Sequence, residues 1–202
     1  MAILNVTPDS FYDGGSHFSF ARALDHARKM TEEGADIIDV GGESTRPGSK
    51  PVSEKDEMSR VLPVVRSLKK KLSQILVSVD TQKSAMADAV LQEGADIIND
   101  ISALTHDPKM VDVILKHKPQ VVLMHMKGNP QTMQSLARYR DVVAEIKKVL
   151  SFRIRALTRR GFPKEKIIVD PGIGFGKKLE HNLEILYNVS KFGSLGCPVL
   201  IG

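Results

Sequence analysis

Seven short, β-branched apolar runs alternate with longer segments of helical period, which predicts an α/β chain of parallel β/α units. A near-copy of Glu33-Gly34-Ala35-Asp36-Ile37-Ile38-Asp39 at Glu93-Gly94-Ala95-Asp96-Ile97-Ile98-Asn99 marks two of those units as repeats of one structural plan. No dinucleotide fingerprint follows the first run, so of the two parallel architectures, an open doubly wound sheet and a closed barrel, the barrel is favoured. The predicted fold is a TIM-type (β/α)8 barrel, incomplete, with about seven of its eight β/α units within the 202 residues. An open barrel leaves strand edges unpaired, so a further strand and its helices are expected beyond Gly202.

The strands are expected at Ile3 to Val6, Asp36 to Val40, Ile75 to Val79, Asp96 to Asn99, Val121 to His125, Ile167 to Val169 and Val199 to Ile201. The first helix carries Phe20, Ala23, Leu24, Ala27 and Met30 on one face, and the second carries Val61, Val65, Leu68 and Leu72. Ser53 is placed to cap the second helix, with Glu54, Asp56 and Glu57 favourable to the positive end of its dipole. In each copy of the repeat, glycine can take the left-handed conformation that closes a helix, and the Ile-Ile pair opens a strand buried on both faces. Arg160-Gly161 before Ile167-Ile168 is a looser third version.

A chain that is 42% hydrophobic and 26% charged has the composition of an ordinary globular domain with a sizeable core. With no Pro- or Ser-rich linker between the units, residues 1–202 are expected to be a single domain, truncated at its C-terminal end. No apolar stretch is long enough to span a bilayer and the N-terminus lacks the regions of a signal peptide, so a cytoplasmic protein without a membrane partner is expected. Cys197 is the one cysteine, which excludes an intramolecular disulfide and a cysteine-built zinc site; before Pro198-Val199-Leu200-Ile201 it is expected to be a packed thiol. The net charge of +5 does not point to nucleic acid. Lys69, Lys70, Lys71, Lys147, Lys148, Arg153, Arg155, Arg159 and Arg160 are scattered over helices without interleaved aromatics, as solvated outer faces are. A positive field still favours a phosphorylated substrate.

A parallel barrel carries its active site at the carboxyl ends of its strands. The residues ending the apolar runs are Asn5, Asp39, Asp80, Asn99 with Asp100, His125 and Asp170. Singly, each is as well explained by a helix cap or a turn. Together, Asp80, Asn99 and Asp170 supply acceptors and a donor suited to a heterocycle with an amidine or guanidine-like edge. Thr7 to Gly15 and Gly41 to Gly48 are long, turn-rich connections of the kind that serve as lids. Asp170-Pro171-Gly172-Ile173-Gly174-Phe175-Gly176-Lys177 lacks the spacing of either nucleotide fingerprint, and its glycines point instead to close backbone approach to a ligand. His125 has no metal-ligand spacing to another histidine, and a structural and a functional imidazole stay equally open. Met124 is read as a pocket wall.

Asn5-Val6-Thr7-Pro8-Asp9-Ser10-Phe11 with Asp13-Gly14-Gly15, and Gly41-Gly42-Glu43-Ser44-Thr45-Arg46-Pro47-Gly48, resemble the two signatures of dihydropteroate synthase, the folate-pathway enzyme family targeted by sulfonamides. Ser78-Val79-Asp80-Thr81, Ile98-Asn99-Asp100, Met124-His125 and the Asp170 to Lys177 segment follow in family order, so the resemblance covers the whole chain. Tyr12 and Ala2 stand where the family usually has Ser and Gly.

The resemblance implies condensation of (7,8-dihydropterin-6-yl)methyl diphosphate with p-aminobenzoate, giving dihydropteroate and pyrophosphate. It implies that Asp80, Asn99 and Asp170 hold the pterin edge, with Met124 beside it, and that Asn5 helps bind an Mg2+ ion accompanying the diphosphate. Thr45 and Pro47, with Phe11 and Phe175, would close around the benzoate ring, Arg46 would also bind substrate, and the full-length enzyme would be a homodimer. The family's Ser-Arg-Lys-Ser segment and Arg-x-His pair have no counterpart here, so the chain alone is expected to turn over poorly or to fold unstably. Two alternatives stay open: another pterin-binding barrel, such as a methyltetrahydrofolate methyltransferase, and a non-catalytic truncated pterin-binding subunit.

Overall fold

The β-branched runs form strands and the segments of helical period form helices in the computed structural model, which describes residues 1–7, 16–45, 48, 49 and 51–202. Two compact units arise, the first from 1–44 and 51–99, the second from 45–50 and 100–202.

In the first unit β1 (Ala2–Asn5), β2 (Ile37–Gly41), β3 (Leu76–Asp80) and β4 (Ile97–Asp100) pair in chain order, every pair parallel. The connections are α1 (Ser16–Glu32), α2 (Glu54–Lys71) and α3 (Ser84–Gln92), as parallel neighbours require. Ile38, Val40, Val77, Val79, Ile97 and Ile98 are fully buried, the pattern of strands covered on both faces. Helix α2 presents Val61, Val64, Val65 and Leu68 to that core, while the expected fourth member of its stripe, Leu72, is its C-cap residue. Ser53 caps it as expected: the Asp56 amide donates to Ser53 Oγ at 3.1 Å. The repeat glycines behave alike, Gly34 at φ 99° and Gly94 at φ 92° reversing the chain between helix and strand.

In the second unit β5 (Gln120–Met124) and β6 (Ile167–Asp170) pair in parallel and are joined by α5 (Val142–Thr158); α4 (Met110–His117) precedes them and α6 (Leu179–Tyr187) follows. Asp141 caps α5 by accepting from the Ala144 amide at 2.8 Å, and α5 buries Val143, Ile146, Leu150, Ile154 and Leu157. Gly161, at φ 85°, makes the looser third repeat conform to the other two.

The last expected strand, Val199 to Ile201, is reduced to a single parallel bridge between Val169 and Val199. Val169 donates to the Pro198 carbonyl and Leu200 to the Val169 carbonyl, both at 2.9 Å, but Pro198 has no amide of its own to extend a ladder. Cys197 is a buried thiol, as expected. Among the described residues no helix is long and apolar enough to cross a membrane.

Candidate active site

The strand registers of the first unit line up four residues: Asn5 opposite Gly41, Gly41 opposite Asp80, and Asp80 opposite Asn99. Gly41 supplies no side chain, and a Cβ there would lie 3.2 Å from Asn5 Oδ1 and 3.9 Å from Asp80 Oδ2. The glycine therefore leaves room for two oxygen-bearing side chains to face one another at the carboxyl end of the sheet. Asn99 Nδ2 donates to Asp39 Oδ2 at 3.0 Å, which fixes the amide and gives Asp39, expected at a strand end but lying within β2, a holding role. Asp39 is buried, and burial pushes its carboxyl up against the lowering effect of its hydrogen bonds. The Ser78 hydroxyl, across the ladder, is one of the groups that lower it, although neither that hydroxyl nor Asp39 Oδ1 makes a hydrogen bond of ordinary geometry among the described residues.

The base of the loop after β2 is pressed on α2. A Cβ on Gly42 would stand 2.6 Å from Val61 Cγ2 and 3.1 Å from Glu57 Cγ. Arg60 Nη1 donates to the Gly42 carbonyl at 3.0 Å. Lys83 Nζ pairs with both Glu43 and the buried Glu57, the latter at 2.5 Å. Farther along the loop Thr45 is half-buried, and in the second unit the Gly48 amide donates to the Pro130 carbonyl at 3.3 Å. The expectations for Phe11, Arg46 and Pro47 fall outside the described residues.

In the second unit Met124 and Asp170 are register partners at the ends of β5 and β6, which puts the expected wall beside the expected acid. Asp170 accepts from the Gly172 amide at 2.6 Å, yet burial outweighs that donor and raises its carboxyl to about 6. Gly172 is tolerated by no larger residue: at φ 70° its Cβ would lie 2.2 Å from the His125 carbonyl oxygen. Lys177 is buried, donating to the carbonyls of His125 at 3.1 Å and Phe175 at 2.9 Å, and burial lowers it to about 7. His125 falls to about 3, first through burial and then through Lys177 and Lys127, so it is a neutral imidazole at pH 7. Its Nδ1 is buried without a hydrogen-bond partner among the described residues. Asp100, expected among the strand-end acids, is instead consumed by the turn after β4, accepting from the Ser102 amide and hydroxyl and the Leu104 amide while Ala103 and Leu104 sit at positive φ.

Sequence reasoning missed Lys83, Lys177 and Tyr139 as site-shaping residues. Tyr139 donates to the Gly176 carbonyl at 3.0 Å, and Lys127 Nζ stands 3.6 Å from its ring centroid, so the glycine segment is braced from outside. A lysine closing a glycine-rich segment was the available signal for Lys177; for Lys83 and Tyr139 the sequence carried none.

Among the described residues no three His, Cys, Asp or Glu side chains group to hold a metal. The amide oxygen of Asn5 is a hard donor beside the Asp80 carboxylate, and oxygen donors of this kind fit Mg2+.

The whole chain, residues 1–202, matches the family model described as pterin binding enzyme. A dihydropteroate synthase of Synechocystis is 44% identical over 202 residues, which are 100% of this chain and 70% of that protein. A Yersinia pestis dihydropteroate synthase solved with a sulfonamide drug matches with a TM-score of 0.93 at 42% identity, covering 100% of this chain and 72% of that one. A Xanthomonas albilineans dihydropteroate synthase solved with 4-aminobenzoic acid matches with a TM-score of 0.91, again at 42% identity, covering 100% and 71%. The fold is accordingly the parallel α/β barrel of these enzymes over the part that the chain spans, as its sequence predicts. With its family match running from the first residue to the last and its strand-end row of Asn5, Gly41, Asp80 and Asn99, the chain belongs to the pterin-binding enzymes, in the dihydropteroate synthase family.

Proposed function

We propose that the chain is the catalytic body of a dihydropteroate synthase, joining (7,8-dihydropterin-6-yl)methyl diphosphate to p-aminobenzoate. The observation that carries this reading is the register of Asp80 beside Asn99, with the Asn99 amide held by Asp39. A carboxylate next to an oriented amide meets the donor and acceptor edge of an aminopyrimidinone ring. The reading assigns further pterin contacts to Asp170 and Met124, and the walls around the benzoate ring to Thr45, Phe175, Phe11, Arg46 and Pro47.

The reaction is dissociative. The bond between the methylene carbon and the diphosphate oxygen breaks, its electrons leaving with pyrophosphate. The aniline nitrogen then attacks the pterin methylene cation, and its extra proton passes to solvent. Asp80, half-buried, and Asp170, buried, stabilise the cation as carboxylates. Asn5 would contribute an amide oxygen to hold an Mg2+ ion, and that ion would supply positive charge to offset that of the leaving diphosphate. No covalent enzyme intermediate is needed.

The test is pyrophosphate release by the full-length protein with both substrates. Release that requires p-aminobenzoate is the expected result. Binding of the pterin diphosphate with no release favours the non-catalytic binding subunit, and methyl transfer from methyltetrahydrofolate without use of p-aminobenzoate overturns the reading. The same reading makes the enzyme a cytoplasmic homodimer, checked by sedimentation.

A further inference from the structure

We propose that Lys83, Glu57 and Arg60 are positioning residues that fix the pivot of the loop beginning at Gly41, and thereby set the affinity for p-aminobenzoate without touching it. This deepens the synthase reading and rests on it, since that reading gives Thr45 of the same loop to the benzoate ring.

Three consecutive residues at the base of the loop are each held differently. Gly41 is fixed by the β2 ladder, with Asn5 and Asp80 on either side. At Gly42 the backbone is pressed against Val61 and Glu57, and its carbonyl is taken by Arg60, one turn of helix after Glu57. Glu43 then reaches Lys83, whose ammonium it shares with Glu57. Lys83 is itself tied to the strand ends: its amide donates to Thr81 Oγ1 at 3.2 Å, and the Thr81 amide donates to the Asn99 carbonyl at 3.1 Å. One rigid path thus runs from the Asp80–Asn99 row to the start of the loop.

The shared ammonium is what argues for positioning over stability alone. Glu57 is 1% exposed and needs a cation, a demand that Lys83 satisfies by itself. Adding Glu43 brings two carboxylates to one ammonium, an arrangement in which they repel each other. The second carboxylate gives the buried pair nothing it lacks, whereas it gives the loop a fixed first step. Burial works to lower Lys83, but its hydrogen bonds to Glu43 and Glu57 prevail and keep it above the ordinary lysine value, so the pivot stays charged throughout the neutral range.

The experiment compares Glu43→Ala, Lys83→Met and Lys83→Arg in the full-length protein. KM is measured separately for p-aminobenzoate and for the pterin diphosphate, together with the Kd of the pterin alone. Glu43→Ala and Lys83→Met are expected to raise KM for p-aminobenzoate by roughly 10- to 100-fold, as sub-ångström to ångström misplacement of a positioned group does. Pterin affinity should stay within about twofold of wild type, because the path to Asp80 and Asn99 runs through backbone amides, a carbonyl and the Thr81 hydroxyl, which neither substitution removes. Lys83→Arg, whose fork can serve two carboxylates, should recover most of the loss. Glu43→Ala leaves the Glu57–Lys83 pair intact, so it tests the pivot even if Lys83→Met fails to fold. A folded Glu43→Ala enzyme with unchanged KM for p-aminobenzoate overturns the proposal, and so does a parallel rise in pterin Kd. A full-length wild-type protein with no p-aminobenzoate-dependent turnover would instead refute the synthase reading, which the wild-type control reveals before any variant is compared.

Discussion

Replacing Asp170 by Asn should stabilise the protein while weakening its chemistry. The carboxyl is 9% exposed and its pKa is raised from 3.8 to about 6 by burial, against the opposing help of the Gly172 amide and Lys177. Ionising it in the folded chain therefore costs about 3 kcal/mol more than ionising it in the unfolded chain. Because the folded chain holds the proton more tightly, stability is greatest below the ordinary aspartate range. It falls as pH rises through that range to about 6 and is flat above. Asparagine is neutral throughout and keeps an oxygen where the Gly172 amide donates at 2.6 Å. Unfolding free energies of wild type and Asp170→Asn from urea titrations, measured from pH 4 to pH 8 without ligand, should nearly coincide at the acid end and diverge by up to about 3 kcal/mol above pH 6. Asp39 and Asp100 are also pushed up by burial, but they titrate in both proteins and cancel in the difference. On the synthase reading, turnover should fall by about 100-fold or more, the loss typical of a group that stabilises charge in the transition state. A variant no more stable than wild type at pH 7, or a difference independent of pH, would refute the argument.

Two further outcomes are expected. Gly172→Ala, combining φ 70° with a Cβ 2.2 Å from the His125 carbonyl oxygen, should lose about 2–5 kcal/mol in urea unfolding. A loss below 1 kcal/mol would show that the segment yields at little cost. Asn99→Leu removes the donor to Asp39 Oδ2 and should cost about 1–3 kcal/mol, whereas Asp39→Leu combined with Asn99→Leu should recover most of that stability. Pterin binding, read by calorimetry, should be lost in both; its survival in the double variant would remove Asn99 from the pterin site.

The order of strands and helices was legible because buried parallel strands need unbroken β-branched runs and their connecting helices need an apolar stripe. The strand-end residues were legible for the same reason, since a polar residue closing such a run is conspicuous. What each does was not. Asp100 and Asp170 look equivalent in sequence, each the last residue of its strand, yet one is enclosed by Ser102 and Leu104 donors and the other has a single amide donor. That distinction depends on how the next few residues turn, here on Ala103 and Leu104 taking positive φ without being glycine. The seventh strand is shorter than its composition suggests: Val199-Leu200-Ile201 has the right residues, but only Val199 bridges, to Val169. Glu57 was read as a helix-dipole acid from its place in the first turn of α2; its burial against Lys83 arises from residues 26 positions apart, which no local pattern reports.

Each unit contains a buried carboxylate that its surroundings only partly satisfy. Asp39 has one oxygen bonded to Asn99, and for the other only the Ser78 hydroxyl, which lies outside ordinary hydrogen-bond geometry. Asp170 has one backbone donor and a neighbouring lysine that burial has itself lowered to about 7. In a protein selected for stability alone, such groups would be replaced by apolar ones or fully hydrogen-bonded, because the desolvation they suffer is not returned. Their persistence, Asp170 at the carboxyl end of β6 and Asp39 within β2, is explained if the missing donors arrive with the ligand. A ring that presents N–H groups to Asp170 stabilises the ionised form, so binding should lower its pKa and raise protein stability most above pH 6, where the unliganded chain carries the full cost. Ligand affinity and the pH dependence of folding are then two readings of one unmet hydrogen-bonding demand.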